Sequence, residues 1–154
     1  MTKKVTGIAK LKKMPDINSR PVRKVTRIGT FYNGDDAITS LLLEVADTEG
    51  SRRNGLMGRE DLPDICGMLF EGLSGGGHFW MKNCLIPLDV AFMDNVGVIK
   101  GISSMPVDKE GKKRYKYDDD VTSALEVNMG LLERLGIKKG FRLETRKLKG
   151  GSDG

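Results

Sequence analysis

The chain has little of the chemistry that disulfide and zinc sites need, with two cysteines and one histidine among 154 residues. Cys66 and Cys84 have no CxxC spacing and lie in apolar segments, which favours two buried free thiols over a disulfide. Two cysteines and one histidine cannot supply the nitrogen and sulfur ligands of a tetrahedral zinc site without carboxylates at recognisable spacing. We therefore predict no disulfide, no metal site and no cofactor.

Long apolar runs are also absent. No stretch approaches the roughly 18 apolar residues that a membrane-spanning helix requires. The N-terminus starts with the positive charge of a secretory signal, but Lys10, Lys12 and Lys13 interrupt the apolar stretch of about 7–15 residues that such a signal needs. The sequence thus predicts a cytoplasmic or virion protein that is not exported by a signal peptide and has no membrane partner.

Positive charge is concentrated at one end of the chain. Residues 1–28 contain nine basic residues and one acidic residue, a net charge of +8, whereas the remainder carries −3. We predict a basic N-terminal arm (1–23), a single β-rich domain (24–147) and a Gly-rich C-terminal tail (148–154). Such an arm can bind an acidic protein surface or the phosphates of a nucleic acid, or it can be a solvated tail that only aids solubility. Its candidate contact residues are Lys3, Lys4, Lys10, Lys12, Lys13, Arg20 and Arg23.

Apolar and β-branched segments with turn signals between them predict a mainly β fold. VTRIGTFY and AITSLLLEVA flank Asn33-Gly34, and LDVAFMD and GVIKGISSM flank Asn95-Val96-Gly97, so each pair predicts a hairpin. Since strands do not alternate with long helices, we expect a compact β-sandwich or jelly-roll-like barrel with one or two short helices.

The remaining segments complete this expectation. TEGSRRNGLMGR predicts a short helix capped by Asp47 or Thr48, and NMGLLERLG a second helix capped by Asn128 and ended by Gly136. The glycines after Ser74 lack a following GK[ST], so they predict a hairpin connection and not a phosphate loop. KEGKKRYKYDDD is typical of a solvated loop.

The segment FWMKNCLIPLDVAFMD contains the chain's only Trp and is the main candidate for a site. Its aromatic, donor and acceptor groups are the mixture that small-molecule and carbohydrate pockets use. They either line such a pocket or brace a bend at 83–87 from within. The candidate binding residues are Arg53, Arg59, Trp80, Lys82, Asn83, Asp89 and Glu126.

Two catalytic arrangements compete with binding, and the sequence supports each less well. Asp89 and Glu126 lie in strand-like segments and can converge for acid–base chemistry, or each carboxylate can be satisfied by backbone amides or by an arginine such as Arg53 or Arg59. His78 can pair with Cys66 or Cys84 as a nucleophile couple, but no orienting Asn or Asp is fixed by spacing. We assign no catalytic residue.

Several motifs occur in a fixed order. They are Arg53-x-Gly55-Leu56-Met57-x-Arg59, Leu62-Pro63, Gly67-Met68-Leu69-Phe70, Phe79-Trp80-Met81-Lys82-Asn83, Ile86-Pro87-Leu88-Asp89, Leu125-Glu126-Val127 and Gly136-Ile137-x-x-Gly140. Together they resemble the family catalogued as domain of unknown function 192, over roughly Leu41 to Leu143. The resemblance implies a compact, jelly-roll-like β domain with short helices and implies no particular reaction.

The chain departs from that family's pattern at two positions and at its N-terminus. Cys84 stands where the family usually has Thr, Phe141 stands where Asp commonly follows the late glycine, and a basic arm replaces the export signal of many members. We therefore predict a non-catalytic structural protein, a component of a larger assembly such as a phage particle, attached to protein partners through its arm. A small-molecule or carbohydrate-binding domain is the alternative, followed by a hydrolase.

Overall fold

The computed structural model of the protein describes residues 25–148. The predicted arm, with all of its candidate contact residues, and the predicted tail beyond Leu148 lie outside the described residues. No helix within residues 25–148 is both long enough and apolar enough to cross a bilayer.

Nine strands and two short helices make up the described part of the chain. The strands are β1 (Arg27–Asn33), β2 (Asp36–Ala46), β3 (Cys66–Glu71), β4 (Gly77–Phe79), β5 (Leu88–Met93), β6 (Ile99–Met105), β7 (Tyr115–Tyr117), β8 (Ser123–Asn128) and β9 (Arg142–Lys147). The helices are α1 (Glu49–Asn54) and α2 (Leu131–Leu135). The predicted mainly β class with short helices is confirmed.

Seven of the strands form one large mixed sheet in the order β6-β5-β8-β3-β2-β1-β9, and β4 pairs with β7 in a small second sheet. All neighbours in the large sheet are antiparallel except β2 and β3, which run parallel and are linked through α1. That βαβ connection was not expected from the sequence. The large sheet is not closed into a barrel, although a single bridge between Val98 and Arg142 joins the segment before β6 to the start of β9.

Both predicted hairpins are confirmed, since β1 pairs with β2 and β5 pairs with β6. The β5–β6 turn requires a glycine for two reasons. Gly97 has a φ of +86°, and a Cβ atom there would lie 2.3 Å from the carbonyl oxygen of Leu143. A side chain at this position would therefore both strain the turn and separate it from β9.

Three local predictions differ from the structure. The glycines after Ser74 do not close a hairpin, because β3 and β4 belong to different sheets. The segment expected to be a solvated loop contains β7, whose Tyr115 is buried. Asn128 does not cap α2. It ends β8 and donates its side-chain amide to Leu62 and Asp64, and the N-cap residue of α2 is Gly130. Thr48, in contrast, caps α1 as predicted, and its capping box includes Ser51.

The large sheet is buried on both faces, because alternate side chains of its central strands enter two separate apolar clusters. On one face, the central strands contribute Met68, Phe70, Val90 and Phe92, and the small sheet and the segments around α1 cover them. On the other face, they contribute Leu69, Ala91, Leu125 and Val127, covered by residues of α2. Two-sided burial explains why β5 is apolar at nearly every position.

Candidate functional site

A pocket of about 260 Å³ opens on the face of the large sheet that the small sheet covers. We call it the Glu126 pocket. Residues of α1, β3, β4, β7 and β8 line it, together with the bend before β5. The lining residues on which the chemistry depends are Arg52, Arg53, His78, Trp80, Cys84 and Glu126.

Glu126 is a buried carboxyl group without a hydrogen-bond or ion-pair partner among the residues that the structure describes. It lies in the middle of β8, between Val90 of β5 and Met68 of β3, and only 4% of the residue is exposed. Among residues 25–148, no hydrogen bond or ion pair reaches its carboxyl oxygens, and burial raises the pKa of Glu126 to about 8. Such a group is costly to bury, and at neutral pH it is largely protonated.

The thiol of Cys84 lies beside this carboxyl group in the same pocket. Burial, reinforced by the negative charge of Glu126, raises the pKa of Cys84 to about 11. A thiol with this pKa holds its proton at neutral pH, so it is a poor nucleophile. His78 also lines the pocket, but the proposed nucleophile couple gains no support, because the environment of Cys84 disfavours the thiolate.

Aromatic rings form the inner wall. Phe79 of β4 packs edge-to-face against Phe70 at 4.9 Å, Phe92 at 5.5 Å and Tyr117 at 5.9 Å between ring centroids. Of these rings, Phe70, Phe79 and Tyr117 line the pocket. Edge-to-face contacts are favourable beyond the area that they bury, so the cluster fixes the shape of the wall.

Trp80 stands at the rim, and two cationic groups lie close to its ring. The guanidinium carbon of Arg114 lies 4.7 Å and the Lys82 Nζ 5.2 Å from its centroid. Arg114 also donates to the carbonyl of Gly111, which packs so closely that a Cβ at Gly111 would lie 2.7 Å from the Lys82 Cβ. The indole is therefore held in place by cation–π contacts and by a tight loop.

The last turn of α1 places two arginines at the mouth of the pocket. Arg52 donates to the carbonyl oxygen of Glu71 at 2.9 Å, and that single contact leaves other N–H donors of its guanidinium group available. Arg53 is largely exposed and forms a loose ion pair with Glu49 at 3.6 Å. Pairs of this kind contribute little and exchange readily with solvent or ligand.

The structure brings together Arg53, Trp80 and Glu126 of the candidate binding residues, and Lys82 joins them through its contact with Trp80. Asn83 is exposed and lies at the bend with a φ of +62°. Its backbone donates to the Lys109 carbonyl and accepts from the Gly58 amide, so Asn83 braces the bend.

Two candidate residues have partners elsewhere. Arg59 donates two hydrogen bonds, of 2.6 and 2.8 Å, to the buried carboxylate of Glu44 and is not part of the pocket lining. Asp89 accepts from the Ser104 hydroxyl at 2.7 Å and from the Gly130 amide at 2.9 Å.

The hypothesis that Asp89 and Glu126 converge is wrong. Asp89 is in register with Val127, the residue after Glu126, so the two carboxyl groups point to opposite faces of the sheet.

Arg52, Phe70 and Tyr117 line the pocket but were not among the candidates. A helical signal for Arg52 was available, since it neighbours Arg53 on the predicted helix. No sequence signal distinguished the two aromatic residues from ordinary core positions.

Comparisons with known proteins give a family. No curated protein matches the chain. A crystal structure from Sinorhizobium meliloti 1021, provisionally described as a transcription regulator, has a TM-score of 0.73 and 28% identity, and the match covers 82% of this chain and 98% of that one. A protein of unknown function from Novosphingobium aromaticivorans DSM 12444 has a TM-score of 0.71 and 29% identity, with 81% and 89% covered. The family model DUF192, described as Uncharacterized ACR, matches residues 31–145, so the chain belongs to the DUF192 family.

Proposed function

We propose that this domain binds a small organic molecule in the Glu126 pocket, with a polar group of the ligand against the Glu126 carboxyl and its apolar part against Phe79 and Trp80. The observation that carries the proposal is the buried carboxyl group of Glu126, which has no hydrogen-bond or ion-pair partner among residues 25–148. This is the small-molecule alternative that the sequence offered.

The energetic argument starts from the neighbours of Glu126. Met68 and Val90 flank it in register and are buried in the apolar cluster, so an apolar residue at 126 would fit the core. An unpaired polar group at such a position costs on the order of 1–3 kcal/mol, and more when it is charged. A ligand that supplies the missing partner would recover much of that free energy.

The size of the pocket limits the ligand. A volume of about 260 Å³ lies just below the range of roughly 300–1,000 Å³ that is typical of pockets for drug-sized molecules. The pocket therefore suits a small metabolite, or the end of a longer molecule.

Trp80 provides a direct test, because it is the only Trp in the chain and lines the pocket. We expect compounds from a panel of small metabolites to change its fluorescence emission and to raise the melting temperature. Glu126→Gln should weaken the binding of such compounds at least tenfold, which corresponds to about 1.4 kcal/mol. Glu133→Gln, the same change at an exposed position of α2, is the matched control and should bind like the wild type.

Two outcomes would contradict the proposal. In one, a broad panel leaves both emission and melting temperature unchanged. In the other, compounds bind the two variants with equal affinity, which would place their site away from Glu126.

The charge of residues 1–28, +8 in total, favours a second candidate function, that of an assembly component attached through residues 1–23. A phage particle is one such assembly, and protein or nucleic acid is the corresponding partner. We expect deletion of residues 1–23 to lower retention by the assembly at least tenfold, and more at low salt, because surface charge acts through screened contacts. Deletion of residues 149–154 is the control. Unchanged affinity after removal of the arm would refute this function.

A further inference from the structure

The charges that line the Glu126 pocket are separated along its depth. The floor carries the Glu126 carboxyl, with the neutral Cys84 thiol beside it. The mouth carries two guanidinium groups, Arg52 and Arg53, against one carboxylate, Glu49. The pocket therefore runs from a net positive mouth to a floor that becomes negative when Glu126 ionises.

The floor suits a cationic group. Within residues 25–148, no Lys or Arg side chain forms an ion pair with Glu126, so the carboxylate is available to a cation from outside. Hydrogen bonds between an ammonium group and a carboxylate are short and roughly twice as strong as neutral ones. The rings of Phe70, Phe79 and Tyr117 surround the approach, and aromatic faces attract cations.

The mouth suits an anionic group. Arg52 uses one N–H for the Glu71 carbonyl, and the loose pair between Arg53 and Glu49 is easily displaced. A guanidinium group binds a carboxylate through two parallel hydrogen bonds, which fixes the position of the ligand as well as attracting it.

We propose that the ligand is a short ω-amino acid, with its primary ammonium group against Glu126, its carboxylate against Arg52 and Arg53, and its methylene chain along the aromatic wall. This inference rests on the proposed function and names the class of ligand for the same pocket.

Binding of such a ligand should depend on pH. Because the pKa of Glu126 is about 8 without ligand, the carboxyl group must release its proton to pair with an ammonium group. We expect affinity to rise about tenfold per pH unit between pH 6 and 7, and to level off near pH 8. The other ionisable groups that face the pocket are Glu49, Arg52, Arg53, His78, Cys84 and Tyr117.

Titration calorimetry of the full chain can test the ligand class directly. The series is glycine, β-alanine, γ-aminobutyrate and 5-aminopentanoate, with butyrate and n-butylamine as analogues that each lack one charge. We expect one chain length to bind best, both single-charge analogues to bind at least tenfold more weakly, and binding at pH 7 to release close to one proton. Glu126→Gln should remove the preference for the amine and the proton release, and Arg53→Met should weaken the preference for the carboxylate.

Glu133→Gln, at an exposed position of α2, is the control and should bind these compounds like the wild type. The inference is overturned if butyrate or n-butylamine binds as well as the ω-amino acids, or if Glu126→Gln keeps the amine preference. If neutral aromatic compounds change Trp80 emission while no ω-amino acid binds, the proposed function stands and the ligand class is wrong. If no compound of either kind binds, both fail.

Discussion

Glu126→Gln is expected to make the domain more stable, and the gain should grow with pH. Glutamine has nearly the shape of a protonated glutamate, so the two proteins should differ by less than about 1 kcal/mol at pH 5. At pH 8 the variant should have a free energy of unfolding about 2–4 kcal/mol above that of the wild type.

The sign follows from the raised pKa of Glu126, which is about 8 in the folded chain and 4.5 when exposed. Below pH 4.5 the carboxyl group is protonated in both states, so the free energy of unfolding does not depend on it. Between those values the unfolded chain gives up this proton first, and each pH unit then favours unfolding by about 1.4 kcal/mol. The glutamine side chain has no such proton to lose, so the free energy of unfolding of the variant does not show this decline with pH.

Urea denaturation of both proteins at intervals from pH 5 to pH 8.5 measures the difference. Both proteins contain Cys84, whose pKa burial raises from 9.0 to about 11, so the small slope that its ionisation in the unfolded chain adds near pH 8.5 cancels in the difference. Glu133→Gln should follow the wild type throughout. Parallel curves for wild type and Glu126→Gln would mean that the carboxyl group has a partner that lowers its pKa, and would remove the main support for the ligand proposal.

Arg59→Met should have the opposite effect and destabilise the domain by about 2–4 kcal/mol. Arg59 supplies both hydrogen bonds to the Glu44 carboxylate, and their side chains are only 17% and 10% exposed. Without Arg59, an unpaired carboxylate would remain between β2 and its covering segments. Ligand binding by the folded fraction should not change, because Arg59 is outside the pocket lining.

The double variant Glu44→Leu/Arg59→Met distinguishes loss of the pair from loss of packing. Since an apolar pair can replace a buried ion pair at little cost, the double variant should recover to within about 1 kcal/mol of the wild type. Arg53→Met, which removes only an exposed pair, should change the free energy of unfolding by less than about 0.5 kcal/mol. A double variant as unstable as Arg59→Met would show that Arg59 stabilises the domain through the packing of its aliphatic stem and not through its charge.

The hairpins of the fold could be predicted because their signals are local. The turns at Gly34 and Gly97 combine residues that accept positive φ with alternating strands on either side. The parallel pairing of β2 with β3 and the pairing of β4 with β7 could not be predicted in this way. Those pairings join segments that are distant in sequence, and nothing in a short strand such as β4 specifies its partner.

The candidate site was predictable in composition but not in arrangement. Trp80 stood out as the only Trp in the chain, and Glu126 stood out because acidic residues are depleted in strands. Whether Glu126 and Asp89 share a face of the sheet depends on the register between β5 and β8. A shift of one residue in that register would place Glu126 directly opposite Asp89. Likewise, which of Arg53 and Arg59 lines the pocket depends on the direction in which the chain leaves α1. The sequence does not specify that direction.

The bridge between Val98 and Arg142 bears on self-association. Both edges of a mixed sheet expose backbone groups that can recruit another chain and seed aggregation. Here the amide of Ile99 donates to the carbonyl of Phe141, and the amide of Leu143 donates to the carbonyl of Gly97. The first residues of the two edge strands, β6 and β9, therefore satisfy part of each other's backbone hydrogen bonding. On β6, strand addition by another molecule is therefore limited to the part beyond Ile99, where Lys100 adds a charge that opposes ordered stacking.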